Sequence, residues 1–264
     1  ILEDVSFDLN GNVLTLTASD GETTIRTSLD VENAEGAGKV AIGAKLLIET
    51  LKEYSEQPLT FTIGEENFAV TMVSQNGTYS FVGVNGNEYP EMPAEEDGSH
   101  TITMPAKGLL DAINKTLFCT ADDELRPVMN GIFFDIATDK TTLVATDAHR
   151  LVRLVNNTVS AAEPVSFILP KKPAGLLKNV LAKVESDVTI AFGVKNARFV
   201  FGNTTLVCRQ IEGRFPNYNA VVAQKNPNQM VIDRKSMLSS IRRVLPFASE
   251  SSELVRLHVT SGNL

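Results

Sequence analysis

The stretch "IATDKTTLVATD" (Ile136–Asp147) has a counterpart 127 residues earlier in the chain, "LNGNVLTLTASD" (Leu9–Asp20). Each reads as a strand, a polar turn and a second strand ending Ala-Ser/Thr-Asp, because apolar and polar residues alternate at a period near two. The match extends outward. "KVAIGAKLLIETLKEY" (39–54) is answered by "FILPKKPAGLLKNVLAK" (167–183), each a strand end leading into an amphipathic helix. Further on, Gly64 corresponds to Gly193, and Tyr89-Pro90 to Phe215-Pro216. A third copy opens near the end: "HTITMPAKGLLDAINKTLF" (100–118) is echoed by "QMVIDRKSMLSSIRRVL" (229–245), and "GIFFDIA" (131–137) by "VRLHVTS" (255–261).

A repeat of this length is a domain rather than a solenoid module, whose period is roughly 20–50 residues. We therefore expect an α+β fold of repeated domains, each with two helices packed on antiparallel sheets and about eight short strands. The expected divisions are 1–97, a first repeat lacking its opening strand and helix; 98–227, a complete second repeat; and 228–264, the start of a third. The chain opens without methionine and both ends fall inside strand-like alternation, so a piece of a longer protein is expected.

The 264 residues include 43% hydrophobic side chains and carry a formal charge of −8, which taken alone argues against a general nucleic-acid binder. Cys119 and Cys208 lie far apart with no metal-ligand spacing, so neither a disulfide framework nor a zinc site is expected and a reducing cytoplasm fits best. No apolar run is long enough to span a membrane.

The helix-period segments segregate charge. Over 171–183, Leu176, Leu177, Val180 and Leu181 form the expected buried stripe, with Lys171 and Lys178 opposite. In 106–118, Leu110, Ile113 and Leu117 point in and Lys107 and Asn114 out; in 234–245, Met237, Leu238, Ile241 and Leu245 point in, with Lys235, Ser239 and Arg242 outside and Arg234 and Arg243 beside them. Lys45 and Lys52 share a side of the helix at 41–54, diluted by Glu49 and Glu53. One such face is an ordinary solvated surface; four at equivalent repeat positions suit attraction to a phosphate backbone without sequence reading. Base stacking is not the expected mode, since the chain has no tryptophan and 6% aromatic residues.

Catalytic motifs are sparse. "EGAGKV" (35–40) fails as a phosphate loop, with Asn33 where the first glycine belongs and Val40 where the metal-binding hydroxyl belongs. Asp122-Asp123-Glu124 lacks the spacing of a calcium loop. "VATDAHRLVRL" (144–154) places an acid, a histidine and an arginine together, but its counterpart Asp20-Gly21-Glu22-Thr23 keeps only the aspartate. Asp147 is thus expected to cap a turn in each repeat, leaving His149 and Arg150 as additions of the second.

"MNGIFFDI" with "TTLVATDAHRLVRL", "LPKKPAGLLKNVL" and "IEGRFPNYNAVV" resembles the bacterial sliding clamp, the β subunit of DNA polymerase III. That resemblance implies three domains per subunit, a head-to-tail homodimer closing a ring, and duplex DNA threaded through it without base recognition. It implies no catalysis, cofactor or metal. It would turn Lys45, Lys52, Lys107, Arg126, Lys171, Lys172, Lys178, Arg234, Lys235 and Arg242 toward the DNA. It further implies a pocket for short peptides of the polymerase III α subunit, the clamp-loader δ subunit and other clamp-binding proteins, walled here by Met129, Thr146, Ala148, His149, Arg150, Leu151, Pro216, Ala220 and Val221. Ala148 stands where the family usually has glycine and Ala220 where it usually has arginine. With most of a third domain missing, this chain alone is expected not to close a ring. Two other classes compete: a hydrolase using Asp147 and His149, and a secreted all-β adhesin glycosylated at Asn76, Asn114, Asn156 or Asn203.

Overall fold

The structure, a computed structural model, describes residues 1–223, 225–249 and 254–259. Two compact units emerge, Ile1–Pro216 and Asn217–Leu264. In the first, the elements run β1 (Asp4–Asn10), β2 (Val13–Ser19), β3 (Thr23–Asp30), β4 (Gly38–Gly43), α1 (Ala44–Lys52), β5 (Thr60–Ile63), β6 (Ala69–Ser74) and β7 (Gly77–Asn85). Then come β8 (His100–Pro105), α2 (Ala106–Thr116), β9 (Gly131–Ile136), β10 (Thr141–Thr146), β11 (Leu151–Asn156), β12 (Val165–Pro170), α3 (Lys171–Leu181), β13 (Asp187–Phe192), β14 (Asn196–Phe201) and β15 (Thr204–Arg209). Shifted by 127 residues, β1 to β7 with α1 fall on β9 to β15 with α3, while β8 and α2 have no counterpart before them. The second repeat thus holds eight strands and two helices, as its periodicity predicts.

Every strand pairing is antiparallel, and the two repeats share one sheet in the order β5-β6-β7-β4-β1-β2-β3-β15-β14-β13-β8; a second sheet runs β11-β10-β9-β12. The join is the ladder β3·β15, in register from Thr204↔Thr27 to Cys208↔Thr23. Hydrogen bonding across the join is continuous, so the repeats meet edge to edge with no unpaired strand edge between them. A hydroxyl pair, Thr27 with Thr204 at 2.9 Å, adds to it.

The second repeat encloses one core between its sheets and helices: Leu109 and Ile113 of α2 and Leu177 and Leu181 of α3 meet Ile132, Phe134, Leu143 and Phe199. Phe134 stacks on Phe167 at 4.5 Å. Aliphatic and aromatic side chains at these positions contribute roughly 1.5–3 kcal/mol each on burial. The first repeat has a smaller cluster around Phe7, Val40, Ile42, Leu47, Val70, Met72 and Phe81. Its single helix buries only Leu47, and Leu46 and Ile48 stay exposed at 57% and 44%. In the second repeat α2 and α3 pack on one another.

The connection between repeats is fastened rather than loose. Tyr89 accepts the Ser19 N–H at 2.9 Å and donates to the Asp4 carbonyl at 3.0 Å, anchoring the exit of the first repeat to its own first strands. Its counterpart Phe215 stacks on Phe133 of β9, ring centroids 4.7 Å apart and 4° from parallel. Glu96 then accepts the N–H groups of Val194 (2.7 Å), Lys195 (3.1 Å) and Asn196 (2.7 Å) in the β13–β14 turn. Burial works against its ionised form, but these backbone donors outweigh it and the carboxyl is held below the usual range. Gly193 makes room: a Cβ there would stand 2.5 Å from Glu96 Oε2.

Several expectations need correcting. The helix stripes are shifted: α2 buries Ala106, Leu109, Ala112, Ile113 and Thr116, and Leu110 and Leu117 are only half-buried. In α3 the buried set is Pro173, Ala174, Leu177 and Leu181, whereas Leu176 is 38% exposed and Val180 half-buried. Short alanines on the inner side allow close approach to neighbouring elements, which hydrophobicity alone does not signal. In the second unit, α4 (Arg234–Val244) forms as predicted, capped by Asp233 accepting the Ser236 N–H at 2.8 Å, but buries no residue. Met237 and Ile241 are half-buried and Leu238 and Leu245 exposed, because an amphipathic stripe is buried only where something packs on it. Residues 229–233 and 254–259 form no strand, having no ladder partner among the described residues. The rest of the "VRLHVTS" echo, from 260, lies outside them.

Candidate functional site

The site builds outward from the β10–β11 turn. Asp147 Oδ1 accepts the N–H groups of His149 (3.0 Å) and Arg150 (2.7 Å). Thr146 Oγ1 accepts the Ala148 N–H at 3.1 Å and donates to the Arg150 carbonyl at 2.7 Å, closing the turn from the other side. Ala148 is thereby held at φ +74°, left-handed backbone that a Cβ disfavours. The β2–β3 turn is built alike: Asp20 Oδ1 accepts from Glu22 (3.0 Å) and Thr23 (2.7 Å), Ser19 Oγ accepts from Gly21 (3.2 Å), and Gly21 sits at φ +90°. The aspartate is a turn cap in both repeats, as its recurrence predicts.

Arg150 is held in place. Its Nε and Nη2 reach Asp147 Oδ2 at 2.9 Å, Nη2 donates to the Phe118 carbonyl at 3.4 Å, and the guanidinium lies 6.0 Å from the Phe118 ring centre. The Arg150 N–H leads in pulling Asp147 down to a pKa of about 2, joined by the Arg150 side chain and the His149 N–H against some desolvation. Burial and the nearby Asp147 charge push the Cys119 thiol up. A base needs a free lone pair facing its substrate. Both oxygens of Asp147 are taken, one by the turn and one by Arg150.

The other residues expected to wall a peptide pocket lie on several elements. Leu151 opens β11 opposite Thr146. Met129 ends a 3-10 turn (Pro127–Met129), half-buried, its carbonyl accepting the Ala121 N–H at 2.9 Å. Next to it, Asn130 Oδ1 accepts the Asp123 N–H at 2.9 Å while Nδ2 donates to the Asp123 carbonyl at 3.0 Å. Gly131 is required by a close approach, since a Cβ would lie 2.5 Å from the Leu169 carbonyl oxygen. Pro216 follows the stacked Phe215. His149 and Arg150 are exposed, whereas Met129, Leu151 and Pro216 are half-buried. Ala220 and Val221 belong to the second unit, at a 3-10 turn (Tyr218–Ala220), Val221 being 72% exposed.

The basic residues divide into two groups. Lys45 and Lys52 on α1, Lys107 on α2 and Lys178 on α3 are exposed, as are Arg234, Lys235 and Arg242 on α4. Three others are paired with carboxylates: Lys171 with Asp122, Lys172 with Asp20, and Arg126 with Asp123 at 2.7 Å. Sequence reading located these cations but missed their partners, and in Lys172–Asp20 the partner lies in the other repeat. The acidic run 122–124 thus supplies ion pairs, and no group of three or more potential ligands is placed to hold a metal among the described residues. Nor is any described helix long and apolar enough to cross a membrane.

Comparison with known proteins assigns both repeats to one family. Residues 1–93 match the model for the N-terminal domain of the DNA polymerase III beta subunit, and residues 103–217 the model for its central domain. The beta sliding clamp of Synechococcus elongatus is 27% identical over 254 residues, covering 95% of this chain and 67% of that protein. That of Treponema pallidum is 24% identical over 265 residues, covering 100% and 71%. The Bartonella birtlesii sliding clamp bound to griselimycin superposes with a TM-score of 0.86 at 25% identity, covering 96% of this chain and 68% of that one. The chain therefore spans about two thirds of the length of its relatives. Two successive domains of a single subunit, in the order that the internal repeat dictates, show that the chain belongs to the DNA polymerase III beta subunit family, the sliding clamps.

Proposed function

We propose that the chain acts, as part of a full-length subunit, in a non-catalytic ring that encircles duplex DNA in the bacterial cytoplasm and tethers the replicative polymerase. The observation that carries this reading is the β3·β15 ladder. It joins one edge of the first repeat to a different edge of the second, a head-to-tail contact. Heterologous contacts of that kind generate closed rings when their rotation closes. Segments 1–97, 98–227 and 228–264 would be the first, second and opening third domains of the subunit, with a homodimer completing the ring.

The basic helices would face the duplex. Lysines on mobile stems make weak, sequence-independent phosphate contacts, which hold a ring near the DNA axis without stopping its sliding. The Thr146–Leu151 turn with Met129 and Pro216 would form one wall of a pocket for short peptides of the polymerase α subunit, the loader δ subunit and other partners. Apolar residues would take aliphatic or aromatic anchors, and the His149–Arg150 edge an acidic or polar end. Occupation of both Asp147 oxygens argues against the hydrolase alternative.

The test is to load the full-length protein onto primed circular DNA and then linearise it. Retention on circles with escape from linear ends is expected; equal retention on both would refute topological binding.

A further inference from the structure

We propose that Phe118 is a positioning residue for Arg150: its carbonyl and its ring fix the guanidinium so that Nη1 is the nitrogen held out to a ligand oxygen. The ligand rests on the peptide reading given above, in which Arg150 meets an acidic or polar end; the fastening of the arginine does not.

The fastening begins where α2 ends. The last carbonyls of a helix have no partner within it. Here Leu117–Cys119 tightens into a 3-10 turn, and the Leu117 carbonyl accepts the Thr120 N–H at 3.2 Å and the Thr120 hydroxyl at 2.8 Å. Cys119 is fully buried and the Ala121 N–H is tied to the Met129 carbonyl at 2.9 Å, so the backbone beside Phe118 is anchored while its ring stands 59% exposed. The Phe118 carbonyl is left for a donor from another element, and Arg150 Nη2 supplies it at 3.4 Å. The helix dipole also favours a cation at this end of α2.

The donors of Arg150 show what remains for a ligand. Asp147 Oδ2 takes Nε and Nη2, both at 2.9 Å, and the Phe118 carbonyl takes Nη2 again. Nη1 has no partner among the described residues. Either fork of a guanidinium, side-on or end-on, uses Nη2, so the bidentate grip on a carboxylate is closed and a single ligand oxygen is the match for Nη1. The Phe118 ring centre lies 6.0 Å from the guanidinium carbon, within reach of cation–ring attraction. The Arg150 side chain is nonetheless 61% exposed, open to a ligand. Held by a carboxylate, a carbonyl and a ring, it has less motion to lose on binding, and such preorganisation raises affinity without a new contact. In the first repeat Thr23 stands at this position, buried in the β3·β15 ladder opposite Cys208, so the fastening belongs to the second repeat.

The experiment has a ligand-free arm and a binding arm. In the 15N-labelled 264-residue chain, the Arg150 Nε–Hε resonance is assigned by its loss in Arg150→Lys. Its exchange with water should quicken about twofold or more in Phe118→Ala and stay at the parent rate in Phe118→Tyr. In the full-length subunit, binding of the polymerase α subunit is followed by surface plasmon resonance. Phe118→Ala should weaken it about two- to fivefold, Phe118→Tyr should restore it by keeping the ring, and Phe118→Leu should not. On an Arg150→Ala background, Phe118→Ala should add nothing. Parent-like binding in Phe118→Ala with weakened binding in Arg150→Ala would overturn the role of Phe118 and leave the peptide reading standing. Binding indifferent to Arg150→Ala would overturn both. A Phe118→Ala loss that persists in full without Arg150, or that Phe118→Leu repairs as well as Phe118→Tyr, would make Phe118 a contact in its own right and overturn the positioning claim, as would unchanged exchange in Phe118→Ala.

Discussion

Asp20 and Asp147 bind their turns through the same oxygen, with Oδ1 accepting two N–H groups at 3.0 and 2.7 Å in each. They differ in what the other oxygen receives. Asp147 Oδ2 takes Arg150 of its own turn, and Asp20 Oδ2 takes Lys172 at the start of α3 in the next repeat. One repeated cap has thus become a clasp for the predicted peptide edge in one copy and an inter-repeat ion pair in the other.

The Asp147 carboxyl, lowered from an ordinary 3.8 to about 2, makes a prediction with a definite sign. A depressed carboxyl adds stability that is fully present above about pH 4 and is lost as pH falls toward 2. Asp147→Asn is expected to lower the melting temperature at pH 7, with the gap from the parent closing between pH 4 and 2. Thermal melts across that range check it, and a gap as wide at pH 2.5 as at pH 7 would count against the assignment.

The matched turns also predict reciprocal effects on the backbone. A Cβ added at Gly21, which sits at φ +90°, would meet nothing nearer than Leu2 Cδ1 at 4.0 Å, so Gly21→Ala meets conformational strain with little clash. It should cost about 1 kcal/mol. Ala148→Gly at φ +74° relieves the same strain against glycine's extra unfolded freedom, and should be stabilising by a few tenths to about 1 kcal/mol. Denaturant midpoints of the two variants should move in opposite directions.

How much of this could be read in the sequence follows from the range of the forces involved. The repeat, the strands and the Asp147 cap are local in period or in turn chemistry, so "IATDKTTLVATD" set beside "LNGNVLTLTASD" exposes them. The β3·β15 ladder, the Lys172–Asp20 pair and Glu96 beneath the 194–196 turn join residues about 100 or more positions apart, and nothing local marks them. The helix stripes miss for a related reason. Hydrophobicity picks Leu176 over Ala174, but packing buries the alanine and leaves the leucine at the rim. For α4, amphipathicity shows which face wants cover and not whether cover is present.

Glu96 and Gly193 form a pair whose energies should not add. Gly193→Ala puts a methyl where Glu96 Oε2 now sits, and the carboxylate can escape only by releasing its N–H partners. Glu96→Ala loses the same bonds directly. Each should cost about 1–2 kcal/mol, toward the low side for charge-assisted bonds because the carboxylate is only partly buried. The double variant should cost little more than either alone, which a double-mutant cycle in urea would show. Full additivity would mean that Gly193 serves the hairpin for some other reason.

The carboxylates beside α3 bear on how tightly a duplex is held. Lys171 and Lys172 are paired with Asp122 and Asp20, so a phosphate must compete with a resident anion before either lysine contributes. The ion pairs are solvent-exposed and worth little to folding, and Asp122→Asn should leave the melting temperature nearly unchanged. Asp20→Asn should lower it modestly, because Asp20 also caps its turn. For duplex binding the expectation is the reverse of a loss. Each substitution removes a competing charge, so affinity should rise several-fold at low salt. The slope of log K against log salt should steepen by up to about 0.9 for each lysine freed to meet a phosphate. Fluorescence anisotropy with a short linear duplex, measured across a salt series, separates the outcomes. Binding unchanged in both variants would mean that α3 does not face the DNA, whereas binding that strengthens without a steeper slope would point to general charge reduction instead of direct phosphate contact.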